Sequence, residues 1–195
     1  MDISIHALTK YVGGHSDLLM GSLSARKQYL PALKRVCRSY GTRVTGDECY
    51  LALRGLRSMA VRMEQQQAAG LKIATWLKDH PAVARVLHPA LEGDEFHERY
   101  KKYFTGGASL FAFELKNTPS DTALAAMLDN MELFHMGFSW GGFESLITTY
   151  KPKALRIASG DKWKNDPRFI RLNIGLEHVD DLIADIDAGL KRLSQ

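Results

Sequence analysis

Cysteine is scarce in this chain of 195 residues. Only Cys37 and Cys49 occur, and they are not spaced as C-x-x-C. Two such residues make no disulfide framework, and a reducing cytoplasm is the simplest setting for them. No uninterrupted apolar run is long enough to span a bilayer, so no membrane partner is expected. The first residues, MDISIHALTK, lack the basic start and apolar core of a signal peptide. Zinc-finger spacing and aromatic strings of the RNA-binding type are missing too. His15, His88, His97, His135 and His178 show no metal-ligand spacing with one another or with the cysteines, so no metal is expected. No internal repeat or low-complexity segment is visible.

What remains is an ordinary soluble composition, 45% hydrophobic and 25% charged. The length suits one large domain or a domain and a half. The net charge of +4 is a mild excess that attracts anionic ligands such as a phosphate or a carboxylate. Its densest basic cluster, Arg26, Lys27, Lys34, Arg35, Arg38 and Arg43, reads as a solvated helix face. Nucleic acid is not an expected partner.

Asp2 to Asp17, DISIHALTKYVGGHSD, is the most informative stretch. Asp2-Ile3-Ser4-Ile5 alternates as a half-buried strand does. Thr9-Lys10 follows, then Gly13-Gly14, which can take backbone angles closed to other residues. A lysine at a strand end, facing a glycine turn, can be partly desolvated, lose its proton and attack a carbonyl carbon. On spacing alone a surface lysine in a loop is the commoner outcome.

The stretch resembles the lysine signature of the cystathionine-metabolising (trans-sulfuration) family of pyridoxal-phosphate (PLP) enzymes. Asp2, Ile3, Ala7, Thr9, Lys10, Tyr11, Val12, Gly14, His15 and Ser16 match it. Leu8 departs, because the family has a small residue there. The resemblance implies that Lys10 carries PLP covalently and that Thr9 touches the cofactor phosphate. Many members have a further phosphate-contacting serine where this chain has Ala7. It also implies a long upstream stretch that supplies a phosphate-cradling turn, a ring-stacking aromatic and an aspartate for the pyridinium nitrogen. Only nine residues precede Lys10, so the expectation is the C-terminal part of a longer family member.

In order along the chain, Leu18–Gly21 reads as a short strand and Ser22–Arg26 as the start of a helix. Helical spacing runs through Tyr29, Leu30, Leu33 and Val36-Cys37 to Gly41. Thr45-Gly46-Asp47 is a turn with a cap, followed by a long helix towards Pro81. Arg54, Arg57 and Arg62 on it read as an exposed face. Strands are expected at 82–87, 109–115, 133–138 and 169–174. Helices are expected at 96–104, 120–130 and 179–193, with Asp180, Asp181, Asp185 and Asp187 as the polar face of the last. The expected fold is α/β, a mostly antiparallel sheet covered by helices. By resemblance it is the C-terminal part of an aspartate-aminotransferase-like PLP fold. Residues 1–56 would be the remainder of the large PLP-binding domain, and 57–195 the smaller C-terminal domain.

Two further stretches carry candidate binding residues. Ser139-Trp140-Gly141-Gly142-Phe143-Glu144-Ser145 directly follows a predicted strand. Its glycines let backbone approach a ligand, and an exposed tryptophan can line a pocket wall. A buried anchor under a tight turn is the alternative. Arg171 alternates with Ile170 and Leu172, so it occupies the opposite sheet face. A guanidinium there can grip a carboxylate through two parallel hydrogen bonds; an ion pair with Glu177 or Asp180 is the alternative. The family resemblance aligns Ser139 with a serine near the substrate carboxylate. It aligns Arg171, in RLNIGLE, with the arginine that binds that carboxylate. Bacterial members acting at the β-carbon show tryptophan where Trp140 stands, whereas members acting at the γ-carbon usually show leucine. Some β-acting members have a tyrosine where this chain has Phe138. The resemblance thus implies β-elimination of L-cystathionine to homocysteine, pyruvate and ammonia in methionine synthesis; a γ-acting relative, or a non-catalytic remnant, is the alternative. It also implies a homo-oligomer, a tetramer in which neighbouring subunits share active sites.

Overall fold

A computed structural model describes residues 1–152 and 167–193. The chain divides into two compact units, Met1–Arg62 and Met63–Gln195.

In the first unit, β1 (Ile3–Ala7) and β2 (Gly21–Ala25) form a two-stranded antiparallel sheet. Ile3 lies opposite Ala25 and Ala7 opposite Gly21. This corrects the helix expected from Ser22: Gly21-Ser-Leu-Ser-Ala has strand alternation, with Leu23 between two serines, and it pairs with β1. Residues 18–20 precede the strand. A single 3₁₀ turn, Lys27–Tyr29, leads into α1 (Leu30–Ser39). Pro31 sits in the first turn of α1, where no helical N–H bond is lost. The long helix α2 (Gly46–Lys78) begins in this unit. It starts with a capping box: Glu48 N–H donates to Thr45 Oγ1 at 3.2 Å, and Thr45 N–H donates to Glu48 Oε2 at 2.6 Å. Apolar burial in this unit is thin. Leu18 and Ala52 are its buried apolar side chains, while Ile5 and Leu19 are 76% and 83% exposed.

The second unit begins with the remainder of α2. After it come β3 (Val83–Leu87), α3 (His97–Tyr103), β4 (Leu110–Leu115), α4 (Asp121–Leu128), β5 (His135–Met136), β6 (Leu146–Tyr150), β7 (Phe169–Asn173) and α5 (Val179–Arg192). The strands form one sheet in the order β3-β4-β7-β6-β5. All its pairings are antiparallel except β5 with β6. Ile73 and Leu77 of α2, Met127 of α4, and Leu182 and Ile186 of α5 pack with Phe113, Ile147, Ile170 and Leu172 of the sheet. Each such fully buried side chain contributes about 1.5–3 kcal/mol. The α/β architecture with a mostly antiparallel sheet and covering helices is therefore as expected.

Three details differ. The strand expected over 133–138 shrinks to His135–Met136; its start is lost because the Asp185 carboxylate takes the N–H groups of Glu132, Leu133 and Phe134. Donors committed to a carboxylate cannot join a ladder. Asp185 is accordingly 7% exposed and not part of a solvated face. Strand β6, with Ile147, Thr148 and Thr149, follows the tryptophan turn and was not anticipated despite its β-branched residues.

Candidate active site

Lys10 and Thr9 lie on the turn that leaves β1. The turn closes on its own backbone: Gly13 N–H donates to Leu8 O and Gly14 N–H to Lys10 O, both at 2.8 Å. Gly14 has φ 70°, the left-handed region. His15 Nδ1 lies 2.7 Å from Gly13 O, so this side chain lines the loop. Lys10 is half-buried. Thr9 ties the turn to the residue before β2. Its Oγ1 donates to Met20 O at 3.2 Å and accepts from Met20 N–H at 3.0 Å. Its own N–H also donates to Met20 O.

Helix α2 supports this turn from below. A Cβ on Gly55 would run into Val12 O and Gly13 O, so only glycine lets the helix approach so closely. Arg62, expected on an exposed face, is instead 6% exposed. Its Nη2 donates to Tyr11 O at 2.9 Å and to Gly55 O at 2.8 Å, and its Nε donates to Ser58 Oγ at 3.0 Å. The guanidinium thus joins the carbonyl just after Lys10 to the helix. Burial draws its pKa below the usual arginine value.

Ser139, Trp140 and Arg171 belong to the second unit. Arg171 lies on β7, the middle strand, opposite Ala112 on one side and Thr148 on the other. Its Nη1 donates to Phe138 O at 3.0 Å, and its guanidinium lies 5.5 Å from the Trp140 ring centroid. That is a cation–π distance. Trp140 is half-buried and Ser139 exposed. The two carboxylates considered as ion-pair partners of Arg171 have other engagements. Glu177 accepts from Ser145 N–H at 2.7 Å and from Ser145 Oγ at 2.8 Å. Asp180 pairs with Lys72 at 2.6 Å.

The tryptophan turn is clamped at further points. Gly141, with φ 77°, donates its N–H to Asn173 Oδ1 at 3.0 Å. Asn173 Nδ2 donates to Glu144 O at 3.1 Å, and Gln66 Nε2 donates to Gly142 O at 2.7 Å. Sequence pattern alone does not reveal the roles of Arg62, Gln66 and Asn173. Gly55 and Ser58 at helical spacing from Arg62 are a faint signal for the first. An asparagine on the Arg171 face of β7 is a faint signal for the third. Among the described residues no group of three or more His, Cys, Asp or Glu is placed to hold a metal. No helix among them is long and apolar enough to cross a membrane.

A family model described as Cys/Met metabolism PLP-dependent enzyme matches residues 1–191. Cystathionine beta-lyase MetC of Escherichia coli (strain K12) is 45% identical over 194 residues, covering 99% of this chain and 49% of that protein. Cystathionine beta-lyase of Salmonella typhimurium (strain LT2) is 45% identical over 196 residues, with the same two coverages. A solved structure of cystathionine gamma synthase from Xanthomonas oryzae pv. oryzae, with aminoacrylate and cysteine, is 30% identical. It superposes with a TM-score of 0.87 over 99% of this chain and 50% of that one. The chain spans about half the length of the curated relatives it matches.

Proposed function

This chain belongs to the PLP-dependent enzymes of cysteine and methionine metabolism, and from that premise we propose that it serves a cystathionine β-lyase. The proposed reaction cleaves L-cystathionine by β-elimination to homocysteine, pyruvate and ammonia. The observation that carries it is the Trp140 ring against Arg171 at 5.5 Å, in a chain 45% identical to two bacterial proteins of that name.

The residues present fit the cofactor. Lys10 offers a primary amine on a turn closed by the Gly13–Leu8 and Gly14–Lys10 backbone hydrogen bonds. Thr9 would hold the phosphate through its hydroxyl. The proton it gives to Met20 O can be redirected without orphaning that carbonyl, because Thr9 N–H already bonds it. Bound PLP supplies the electron sink that makes an α-proton acidic. The chain's own groups do the rest. Lys10 would hold the cofactor through its amine and would take the α-proton. Arg171 grips the α-carboxylate, and a guanidinium already fixed by Phe138 O and Trp140 loses little freedom in doing so. Ser139, exposed at the head of the turn, borders the carboxylate. Trp140 walls the site and keeps the guanidinium aimed. The working form is a cytoplasmic homo-oligomer in this proposal.

Borohydride reduction after adding PLP, followed by peptide mapping, tests attachment. The pyridoxyl mass is expected on Lys10 and absent in Lys10→Ala; the mass on another lysine rejects the role. The likeness to a γ-synthase structure favours a second reading, γ-chemistry. Pyruvate from L-cystathionine supports β-elimination, and 2-oxobutyrate supports the γ-acting reading. No cofactor uptake at all would instead leave the chain as a non-catalytic contributor to an assembly.

A further inference from the structure

We infer that two buried amides, Gln66 and Asn173, are positioning residues that set Trp140 against Arg171 and so aim the guanidinium. The inference rests on the reading that Arg171 binds the substrate carboxylate. Gln66 is 0% exposed and Asn173 is 1% exposed. They reach the tryptophan turn from two different elements, α2 and β7. Between them they hold three points on the four residues after Trp140. Asn173 Oδ1 accepts from Gly141 N–H, Gln66 Nε2 donates to Gly142 O, and Asn173 Nδ2 donates to Glu144 O. Asn173 shares its sheet face with Arg171, two residues earlier on β7, so one strand fixes both the guanidinium and the turn that stacks on it. Ser109 Oγ donates to Asn173 Oδ1 at 2.9 Å and fixes the amide's orientation.

The choice of amides is chemically specific. The turn presents both a donor and acceptors inward, and an amide meets both kinds with one side chain. A carboxylate could not donate to Glu144 O, and it would put a competing anion near Arg171. An ammonium could not accept from Gly141 N–H. Gln66 carries a cost that packing alone does not explain. Its Oε1 is buried without a hydrogen-bond partner among the described residues. A methionine of similar shape would fill the same space without that cost. What methionine cannot do is hold Gly142 O.

Proton–nitrogen spectra of the arginine Nε–H groups provide the test. A ring stacked on a guanidinium displaces its signals upfield, so Arg171 should stand displaced in the parent chain and return to the ordinary position in Trp140→Ala. In Gln66→Met with Asn173→Leu, most of that displacement should be lost while far-ultraviolet dichroism still reports a folded chain. A folded double variant that keeps the full displacement overturns the inference. A merely structural role lowers the melting temperature but leaves the displacement of the folded chain intact. If the double variant does not fold, Gln66→Met alone, which removes the bond to Gly142 O, and Ser109→Ala, which removes the bond to Asn173 Oδ1, are read instead. A partial loss in both is expected, and none in either overturns the inference. Titration of the PLP-loaded chain with L-cystathionine separates this from the functional reading. A parent Arg171 signal that ignores the amino acid removes the substrate role, while the dependence of stacking on the two amides stands or falls by the variants.

Discussion

The lysine turn and the tryptophan turn are both glycine-bearing loops at a strand end, yet different physics holds them. The lysine turn hangs on one buried cation, Arg62, and on the Thr9–Met20 pair. It belongs to a unit whose buried apolar side chains are Leu18 and Ala52. The tryptophan turn is gripped by Gln66, Asn173 and Glu177 above a core that spans α2, α4, α5 and the sheet. Hydrophobic burial is non-directional and spread over many atoms, so losing one contact leaves reserve. Polar clamps are few and directional, so losing one is felt at once. The first unit should therefore respond sharply to small polar changes, and the second mainly to damage in its core.

The largest expected effect tests the second half of that statement. Phe113→Ala, at a fully buried position on β4, should cost about 3–5 kcal/mol. Hydrogen exchange should show lost protection on β4 and β7, with the β1–β2 pair unchanged. Equal loss in both regions would break the comparison. Next comes Arg62→Met. Removing a charged donor from Tyr11 O and Gly55 O should cost about 1.5–3 kcal/mol. It should expose the Gly13 and Gly14 amides to exchange. Arg62→Lys should rescue only part of this, since an ammonium lacks the planar fork that reaches both carbonyls.

How much of this was legible in the sequence follows the same divide. Periodicity revealed α2, β4 and β7 because burial there repeats along one element: Ile170 and Leu172 alternate with Arg171. The pairing of β2 with β1 was misread, because Gly21-Ser-Leu-Ser-Ala is short and carries one large apolar residue. The truncation of β5 was invisible, since it depends on Asp185, about fifty residues further along the chain. Lys10, Thr9, Ser139, Trp140 and Arg171 were singled out mainly by family resemblance. The side chains that hold those turns, Arg62, Gln66 and Asn173, were missed because each acts on backbone atoms distant in sequence. Backbone carbonyls leave no trace in residue identity. A buried arginine on a helix therefore reads the same as an exposed one.

A smaller effect concerns pH. His88 is 4% exposed, its Nδ1 accepts from Ala90 N–H at 3.2 Å, and its ring lies 5.3 Å from that of Phe111. Burial lowers its pKa, outweighing a hydrogen bond to its own backbone carbonyl and the charge of Asp94, which raise it. The unfolded chain therefore takes up the proton first as the pH falls. The stabilisation from the neutral ring is complete above the ordinary imidazole pKa. It declines with acidification from there towards the lowered folded value. Melting temperatures between neutral and mildly acidic pH should show this slope, and His88→Phe should flatten it. An unchanged slope would assign the pH dependence to other groups.

The smallest effect gives the sharpest test, because the same chemistry occurs in both units. Thr45 caps α2 through Glu48 N–H, and Ser120 caps α4 through Ala123 N–H at 3.1 Å. Thr45→Ala and Ser120→Ala should each cost about 1 kcal/mol. What should differ is how far the damage spreads. The α4 helix is pinned by buried Leu124, Met127 and Leu128 within its next two turns, so fraying should stop at its first turn. The first turns of α2 bury only Ala52 and Gly55. Loss of exchange protection there should run on towards Gly55, the residue on which the lysine turn rests. Equal fraying at the two caps would mean that apolar burial does not set the reserve of either unit.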